Sequence, residues 1–366
     1  MDVKRLTAVG AMTLAMTGAA HAQSSVTLYG IISTGITYIS NQGGSSNVKL
    51  DSGINQASRF GLRGVEDLGG GLRAVFTLEN GFDLSTGKLS NGGALFGRRA
   101  YVGLSSDRFG TLTAGHDYDF IYDFVTMYSN VAQFAPSYSF HLAYDVDRVA
   151  GEPVNNAIKY KSPSLGGFTV GAMYGFSNVA GSFAGAPNNP RVYSAGISYA
   201  PTGNPTLPFS LAAAYTKTDG ANGTLAQIAL NAKSIETAAV AGRVQFGSAA
   251  VNAMYTYTNA TPTLGGGALL THVFEGGVTY QFSPFLNTGV GYAYVDQRNG
   301  KFHIGSAGVD YRLSKRTDVY LFGTYQHAFA GAGKAGNFLV VTPATTVGYS
   351  SNSNQAAVQL GIRHLF

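Results

Sequence analysis

Charged side chains of opposite sign are the residues of this chain whose types and spacing could do chemistry. One stretch, 117–153, is acidic, and basic residues are scattered elsewhere, in segments that alternate apolar and polar side chains. Carboxylates that face basic groups across water create a transverse electric field, which orients dipolar solutes and sets ion preference. The charged residues of the acidic stretch are Asp117, Asp119, Asp123, Asp145, Asp147, Arg148 and Glu152.

Residue sets typical of catalysis are missing from the sequence. The seven histidines are spread along the chain, with no Gly-x-Ser-x-Gly elbow, no His-x-x-x-His pair and no cysteine. Residues 331–336 match GxGxxG, but they lack the strand-turn-helix setting that a dinucleotide needs. We therefore predict that the protein is not an enzyme and has no cofactor or metal. A hydrolase with a Ser/His pair on a barrel wall is the remaining enzyme alternative.

Apolar and polar residues alternate along most of the chain. In the first such segment Val26 and Leu28 alternate with Thr27, and the last segment, 353–366, ends on Phe366. A period of two indicates strands with one apolar face. A strand at the chain terminus has no following helix to cover that face, so another apolar medium must cover it. We therefore predict an all-β fold, a transmembrane antiparallel β-barrel in an outer membrane.

Composition separates this prediction from a soluble sandwich or a fibrous adhesin. Only 12% of residues are charged, against about 25% in typical soluble domains. The 22 Tyr and 22 Phe cluster at strand ends, where an aromatic girdle would meet the membrane interface. The formal net charge is +5, but Lys and Arg are scattered along the chain instead of forming a basic run, so we predict no nucleic-acid partner.

The first 22 residues have the features of a cleaved signal peptide. Lys4 and Arg5 precede an apolar run, and Ala20 and Ala22 are small residues at the positions that a signal peptidase recognises. The expected domains are a signal peptide, 1–22, and one barrel domain, 23–366. Removing Lys4, Arg5 and Asp2 takes the net charge from +5 to +4.

Short turns and long polar connections alternate between the predicted strands. Short turns lie near 66–69, 107–110, 162–166, 201–208, 247–248, 283–284 and 314–316. Long loops lie near 41–53, 83–94, 117–153, 178–190, 218–233, 259–269 and 329–352. With the junction between the last and first strands, these turns make eight hairpins, which need 16 strands.

Several segments resemble the Gram-negative general porins of neisserial and burkholderial type. The most specific is 58–72, SRFGLRGVEDLGGGL, and 26–30, 98–104, 156–163 and 361–366 are also similar, so the likeness extends over the whole predicted mature chain. The resemblance implies a trimeric, 16-stranded diffusion channel in the outer membrane of a Gram-negative bacterium. It also implies a long third loop that folds inward and narrows the pore.

Strand parity predicts which charges face the lumen. Arg59, Arg63 and Arg73 share inward parity, and Lys159, Lys161 and Arg243 are also expected to face inward. At the Arg98-Arg99 pair parity is ambiguous, because neighbours on a strand point to opposite faces, and the resemblance favours Arg98. The resemblance also implies an arginine where this chain has His116. The predicted constriction and lumen residues are Arg59, Arg63, Arg73, Arg98, Arg99, Arg148, Lys159, Asp117, Asp119 and Asp123.

The function predicted from these features is passive diffusion of small hydrophilic solutes and inorganic ions. Because most inward charges placed by parity are basic, we expect a weak preference for anions. The alternatives are a solute-selective outer-membrane channel and a surface adhesin on a β-barrel. Expected partners are two further copies of the chain in a homotrimer and outer-membrane lipid. Phe366 is expected to close the barrel and to support assembly.

Overall fold

A computed structural model describes residues 24–141, 145–177, 191–201, 208–220, 224–298, 300–336 and 349–366. The predicted signal peptide and its cleavage before Gln23 lie outside these residues and stay predictions. Among the residues in these ranges, no helix is long and apolar enough to cross a membrane.

The described chain is mostly β-strand, as the alternation predicts. The strands are β1 (Ser25–Gln42), β2 (Ser45–Ser52), β3 (Arg59–Gly69), β4 (Leu72–Gly81), β5 (Arg99–Ser106), β6 (Gly110–Asp117), β7 (Val154–Lys161), β8 (Phe168–Gly175), β9 (Arg191–Tyr199), β10 (Phe209–Asp219), β11 (Ala232–Phe246), β12 (Ala249–Pro262), β13 (Leu269–Gln281), β14 (Leu286–Gln297), β15 (Gly300–Arg312), β16 (Thr317–Phe329) and β17 (Asn354–Leu365). The described residues also form two short α-helices, α1 (Asn130–Gln133) and α2 (Leu225–Leu230).

Every neighbouring pair of strands is antiparallel, and the sheet closes on itself. One edge of β1 pairs with β17, from Ile31 opposite Leu365 to Ile39 opposite Ala357. The other edge of β1 pairs with β2 near one end and with β3 near the other, so β2 and β3 form one interrupted barrel strand. The 17 strands within the described ranges therefore make the predicted barrel of 16.

The apolar face of each strand points outward. On β1, Val26 and Leu28 are 64% and 59% exposed, whereas Ser33 and Thr37 are fully buried on the inner face. Closure satisfies the backbone hydrogen bonds of both strand edges, so outward apolar side chains can contact lipid without any unpaired edge. The inner face is not polar throughout: beneath the third loop, β10 and β11 carry small apolar residues, Ala212, Ala214, Ala239 and Ala241.

The short turns lie at one end of the barrel and the longer connections at the other. In the tight turn after β11, Gly247 has a φ of +57°, a conformation that suits glycine. The turn predicted at 201–208 is only partly described. The prediction of a loop at 41–53 was wrong over Ser45–Ser52, which extends the barrel as β2. There Val48 and Leu50 alternate with charged residues, a strand pattern that the surrounding Gly, Ser and Asn obscured.

The longest connection, residues 118–153, follows β6 and is called the third loop here; residues 142–144 are not described. It contains short helical turns at Ile121–Val125, Thr126–Tyr128 and Ser137–Ser139 as well as α1. Its apolar residues Phe120, Ile121, Phe124 and Val125 are buried against the lumen-facing wall from β7 to β12. Asp117, expected in this loop, is instead the last residue of β6.

Candidate functional site: a charged cavity in the lumen

A cavity of about 480 Å³ lies where β1 and β3 to β7 face residues of the third loop. Most of its lining is charged or aromatic. Six basic residues and three carboxylates line it together with two threonines on β6, one on β4, and three tyrosines. The charged residues are Arg59, Arg63, Arg98, Arg99, Lys159, Lys161, Glu79, Asp117 and Asp123.

Glu79 on β4 organises one side of this cavity. The Arg98 Nε donates to Glu79 Oε1 at 2.7 Å, and Tyr29 OH donates to Glu79 Oε2 at 2.9 Å. Arg59 Nε is 3.8 Å from the same Oε2. The side chain of Glu79 is only 8% exposed, so its charge depends on these partners for stabilisation.

Asp117 and Asp123 form the second charged cluster, with Arg99 and Lys159. Arg99 donates to Asp117 Oδ1 at 2.5 Å and to Asp123 Oδ1 at 3.2 Å. Lys159 Nζ lies 2.9 Å from Asp117 Oδ2 and 2.6 Å from Asp123 Oδ2. Burial alone would raise the pKa of Asp123, but Lys159 and Arg99 outweigh burial and hold that pKa below its usual value. The cluster fixes the start of the third loop to the wall.

Two stacked tyrosines lie beside these clusters. The rings of Tyr118 and Tyr122 are stacked with centroids 4.0 Å apart. The guanidinium carbons of Arg99 and Arg98 are 4.9 Å and 5.6 Å from the Tyr118 ring centroid. These cation–π contacts hold both arginines in position while their charges face carboxylates.

Arg63 and Lys161 differ from the other cavity cations. Both are exposed and, among the residues that the structure describes, neither forms a salt bridge. The Arg63 guanidinium instead lies 5.0 Å from the Tyr29 ring centroid, and Lys161 Nζ lies 5.4 Å from that of Phe124. Neither positive charge has a carboxylate at contact distance, although Lys161 is near enough to Asp123 to help lower the pKa of that carboxyl.

The structure brings most of the predicted site residues together but not all of them. Arg73 Nη2 lies 2.5 Å from Asp107 Oδ1, beside a short turn and away from the cavity. Asp119 and Arg148 bind each other inside the third loop, where both are buried. Arg243 and His116 are also outside the cavity lining, and His116 contacts Asn155 and the Gly97 carbonyl oxygen.

Both Arg98 and Arg99 line the cavity, so the choice between them does not arise. Strand parity applies only to residues within a strand, and β5 begins at Arg99, after Arg98. The backbone N–H of Arg98 donates to the Glu79 carbonyl oxygen at 3.2 Å. From this position the Arg98 side chain reaches the Glu79 carboxylate. Alternation does not constrain a residue that precedes the strand.

Glu79 and Tyr29 were not among the predicted site residues. Parity on β4 could have indicated Glu79, because it shares the inward face with Thr77. Tyr29 is harder to find, since outward tyrosines are frequent in this chain and only its partner, Glu79, shows its role.

A third charged cluster ties the far part of the third loop to the opposite wall. His141 Nδ1 is 3.0 Å from Asp147 Oδ2, and His141 Nε2 bonds to Glu275 of β13. The other oxygen of Glu275 accepts from the Asn130 N–H. Burial alone would lower the pKa of His141, but Glu275 and Asp147 outweigh burial and raise that pKa to about 10. We call this cluster the loop clasp.

Glycines on the inner wall receive other parts of the third loop. A methyl group on Gly171 of β8 would overlap the Phe120 ring, and one on Gly289 of β14 would overlap the Phe134 ring. A methyl group on Gly277 or on Gly291 would likewise overlap the Asn130 side chain. Wall and loop therefore approach each other more closely than any larger side chain would allow.

A closed barrel with outward apolar side chains and a charged inner cavity defines an outer-membrane channel. The chain belongs to the Gram-negative porin family, whose model matches residues 7–329. This confirms the predicted family, barrel fold and outer-membrane location. It also confirms that the protein is a passive channel rather than an enzyme.

Relatives with established names agree with this assignment. An outer membrane porin of Bordetella pertussis is 29% identical to this chain over an alignment of 415 residues, which covers 100% of both chains. Outer membrane porin protein 32 of Delftia acidovorans is 32% identical over 377 residues, covering 96% of this chain and 97% of the relative. An anion-selective porin from Comamonas acidovorans has a similar structure, with a TM-score of 0.75 and 26% identity, covering 94% of this chain and 100% of that one.

Proposed function

We propose that this porin passes small hydrophilic solutes and ions with a weak preference for anions, and that the lumen cavity is where ions are selected. The observation that carries this proposal is the charge of the cavity lining, six basic residues against three carboxylates. The Comamonas acidovorans porin described as anion-selective has a similar fold and supports the same sign.

The preference is weak because most of the cavity charges are compensated at contact distance. Arg99 and Lys159 face Asp117 and Asp123, and Arg98 faces Glu79. Arg63 and Lys161 supply most of the uncompensated positive potential. Their field extends over a Debye length of about 8 Å at physiological ionic strength, so the preference fades as salt rises.

The third loop narrows the channel in this proposal. Tyr122 and Asp123 of the loop line the cavity together with Arg63 and Lys161 of the wall. The loop clasp to Glu275 and the bond from Asn252 of β12 to the Tyr128 carbonyl oxygen, 2.9 Å, support a fixed loop position. A fixed loop gives a constant aperture for solutes.

Reversal potentials test the proposed selectivity. The purified protein is inserted into a planar bilayer under a KCl gradient, and the reversal potential is measured at low and at high mean salt. We expect a modest anion preference that decreases at high salt. A strong cation preference at low salt would overturn the proposal and would place control of ion flow with the loop carboxylates.

We also propose that the porin assembles as a homotrimer through the wall around β1 and β17. The outward residues Val26, Leu28 and Ile36 of β1 and Leu360 of β17 are exposed aliphatic side chains in a single chain. The trimer form of OmpT from Vibrio cholerae shares the fold, with a TM-score of 0.68 at 16% identity. Unheated samples in mild detergent should migrate at three times the monomer mass; migration at monomer size would contradict the trimer.

A further inference from the structure

Two histidines face each other on the outer surface of the barrel. His303 of β15 is directly opposite His327 of β16 in the strand register. Both have outward parity, since their strand neighbours Ile304 and Ala328 are buried on the inner face. The two imidazole planes are 10° from parallel, and their centroids are 6.4 Å apart. The pair lies at the end of the barrel that carries the long loops.

The Nδ1 atom of each imidazole is already held by an oxygen. His303 Nδ1 bonds to Tyr292 OH, and His327 Nδ1 lies 2.7 Å from Asn354 Oδ1. An amide oxygen can only accept, so His327 donates from Nδ1 and carries its lone pair on Nε2. Within the described part of the chain, neither Nε2 atom has a hydrogen-bond partner.

Phe329 packs against the pair. Its ring is parallel to that of His303, with centroids 4.4 Å apart, and its centroid is 6.0 Å from that of His327. At these distances the phenyl ring packs on the His303 imidazole and lies close to that of His327.

We propose that His303 and His327 bind one divalent transition-metal ion, Cu²⁺ or Zn²⁺, through their Nε2 atoms. Imidazole nitrogen suits both ions. A histidine that ligates a metal usually donates its other ring N–H to an oxygen, which is the arrangement at His327, and at His303 the Tyr292 hydroxyl oxygen can accept the same hydrogen bond. With nitrogen–metal distances of about 2.0–2.1 Å, two imidazoles on one ion have centroids roughly 5 to 6 Å apart, so only a small approach of the rings is needed.

The remaining coordination positions of the ion are open to oxygen ligands from outside the chain. Water and anionic groups of the membrane surface are both in reach at this end of the barrel. The site lies outside the lumen, so its occupancy does not depend on the proposed ion preference of the channel. Failure of one proposal therefore leaves the other standing.

His272 of β13 is a matched comparison within the same chain. It also faces outward near the long-loop end, and its Nδ1 atom is 2.9 Å from Tyr255 OH. Its register partners are Tyr257 and Asp296, so no second imidazole lies opposite it. The Asp296 carboxylate is bound by Lys301 at 3.1 Å. A single imidazole should bind these ions far more weakly than a pair.

Metal titration of the folded, untagged protein in detergent tests the site. We expect one Cu²⁺ or Zn²⁺ per chain by calorimetry, and a Cu²⁺ electron paramagnetic resonance spectrum that shows two coordinating nitrogens. His303→Ala and His327→Ala should each weaken this binding at least about tenfold, whereas His272→Ala should bind like wild type. Circular dichroism and heat-dependent gel mobility verify that each variant is folded.

Three results would overturn the proposal. One is wild-type protein that binds neither ion. Another is a folded His303→Ala or His327→Ala variant that binds as tightly as wild type. The third is loss of binding in His272→Ala, which would assign the metal to His272 and its neighbours.

Discussion

His141 and Glu275 are 134 positions apart in the sequence and share a hydrogen bond inside the barrel. One belongs to the third loop and the other to β13, on the wall across from the strand at which the loop begins. Glu275 and Asp147 together enclose the imidazole of His141, whose side chain is 1% exposed. The third loop is therefore fixed to the wall at two places. Arg99 and Lys159 hold its start, and the loop clasp holds it farther along the chain.

The loop clasp should weaken at alkaline pH. Because the pKa of His141 is raised to about 10 in the folded protein, the folded state holds this proton more tightly than the unfolded chain. The resulting stabilisation is complete below the ordinary imidazole pKa of about 6.5 and is lost as pH rises through 10. His141→Asn should remove this dependence, measured as the thermal unfolding midpoint and as current noise of single channels between pH 6 and pH 10. His364→Asn, an outward imidazole bonded to Thr317, is the control. An equal pH dependence in His141→Asn and wild type would contradict the role of His141.

Neutralising Arg63 and Lys161 together should abolish the anion preference. These two cations face the cavity without a carboxylate at contact distance, so their removal changes the net field without leaving an unpaired buried charge. The double variant Arg63→Gln/Lys161→Gln is compared with Arg73→Gln, which removes a cation outside the cavity. Reversal potentials at low salt should move toward cations in the double variant only. An unchanged potential there would exclude both residues from ion selection.

Arg98→Gln should destabilise the barrel because it removes the nearest partner of the buried Glu79. Losing one member of a buried ion pair costs about 3–5 kcal/mol, whereas neutralising both members costs less. The double variant Arg98→Gln/Glu79→Gln should therefore recover part of the lost stability, measured by urea unfolding in detergent or lipid. Additive losses in the double variant would show that the two side chains do not depend on each other.

Gly171→Ala should displace the third loop. The added methyl group would overlap the Phe120 ring, and overpacking of this kind costs about 1–3 kcal/mol. Gly305→Ala is the matched control, since a methyl group there has no heavy atom within 4 Å. Gly171→Ala should change single-channel conductance and lower the unfolding midpoint. If both variants conduct like wild type, the loop does not rely on this close approach.

Deleting Phe366 should reduce assembly into the membrane more than it changes conductance. The Phe366 N–H and carbonyl oxygen exchange hydrogen bonds of 3.1 Å and 3.0 Å with Gly30, and its ring lies against that glycine. Phe282→Ala, an exposed aromatic change at the same end of the barrel, is the control. The readout is the yield of heat-modifiable folded protein in the outer-membrane fraction. Normal yield after the deletion would contradict a closing role.

Alternation along the sequence predicts the barrel well because lipid and lumen impose the same period of two on every strand. It also places Arg59 and Arg63 on the inner face. Alternation does not predict which side chains bind each other. Glu79 organises the cavity through its bond to Arg98, which lies just before β5. Asp119 binds Arg148 because the third loop folds back on itself. Such contacts depend on the path of a long loop, which no local pattern specifies.

The glycines under the third loop also imply an order of folding. Gly171, Gly289 and Gly291 belong to β8 and β14, which are far apart in the sequence and take their places only as the barrel closes. Contacts between such distant segments form late, because ordering the intervening chain must come first. In the proposed channel, the part narrowed by the third loop therefore forms after the wall. A barrel halted before that point would leak more and discriminate less than the finished protein.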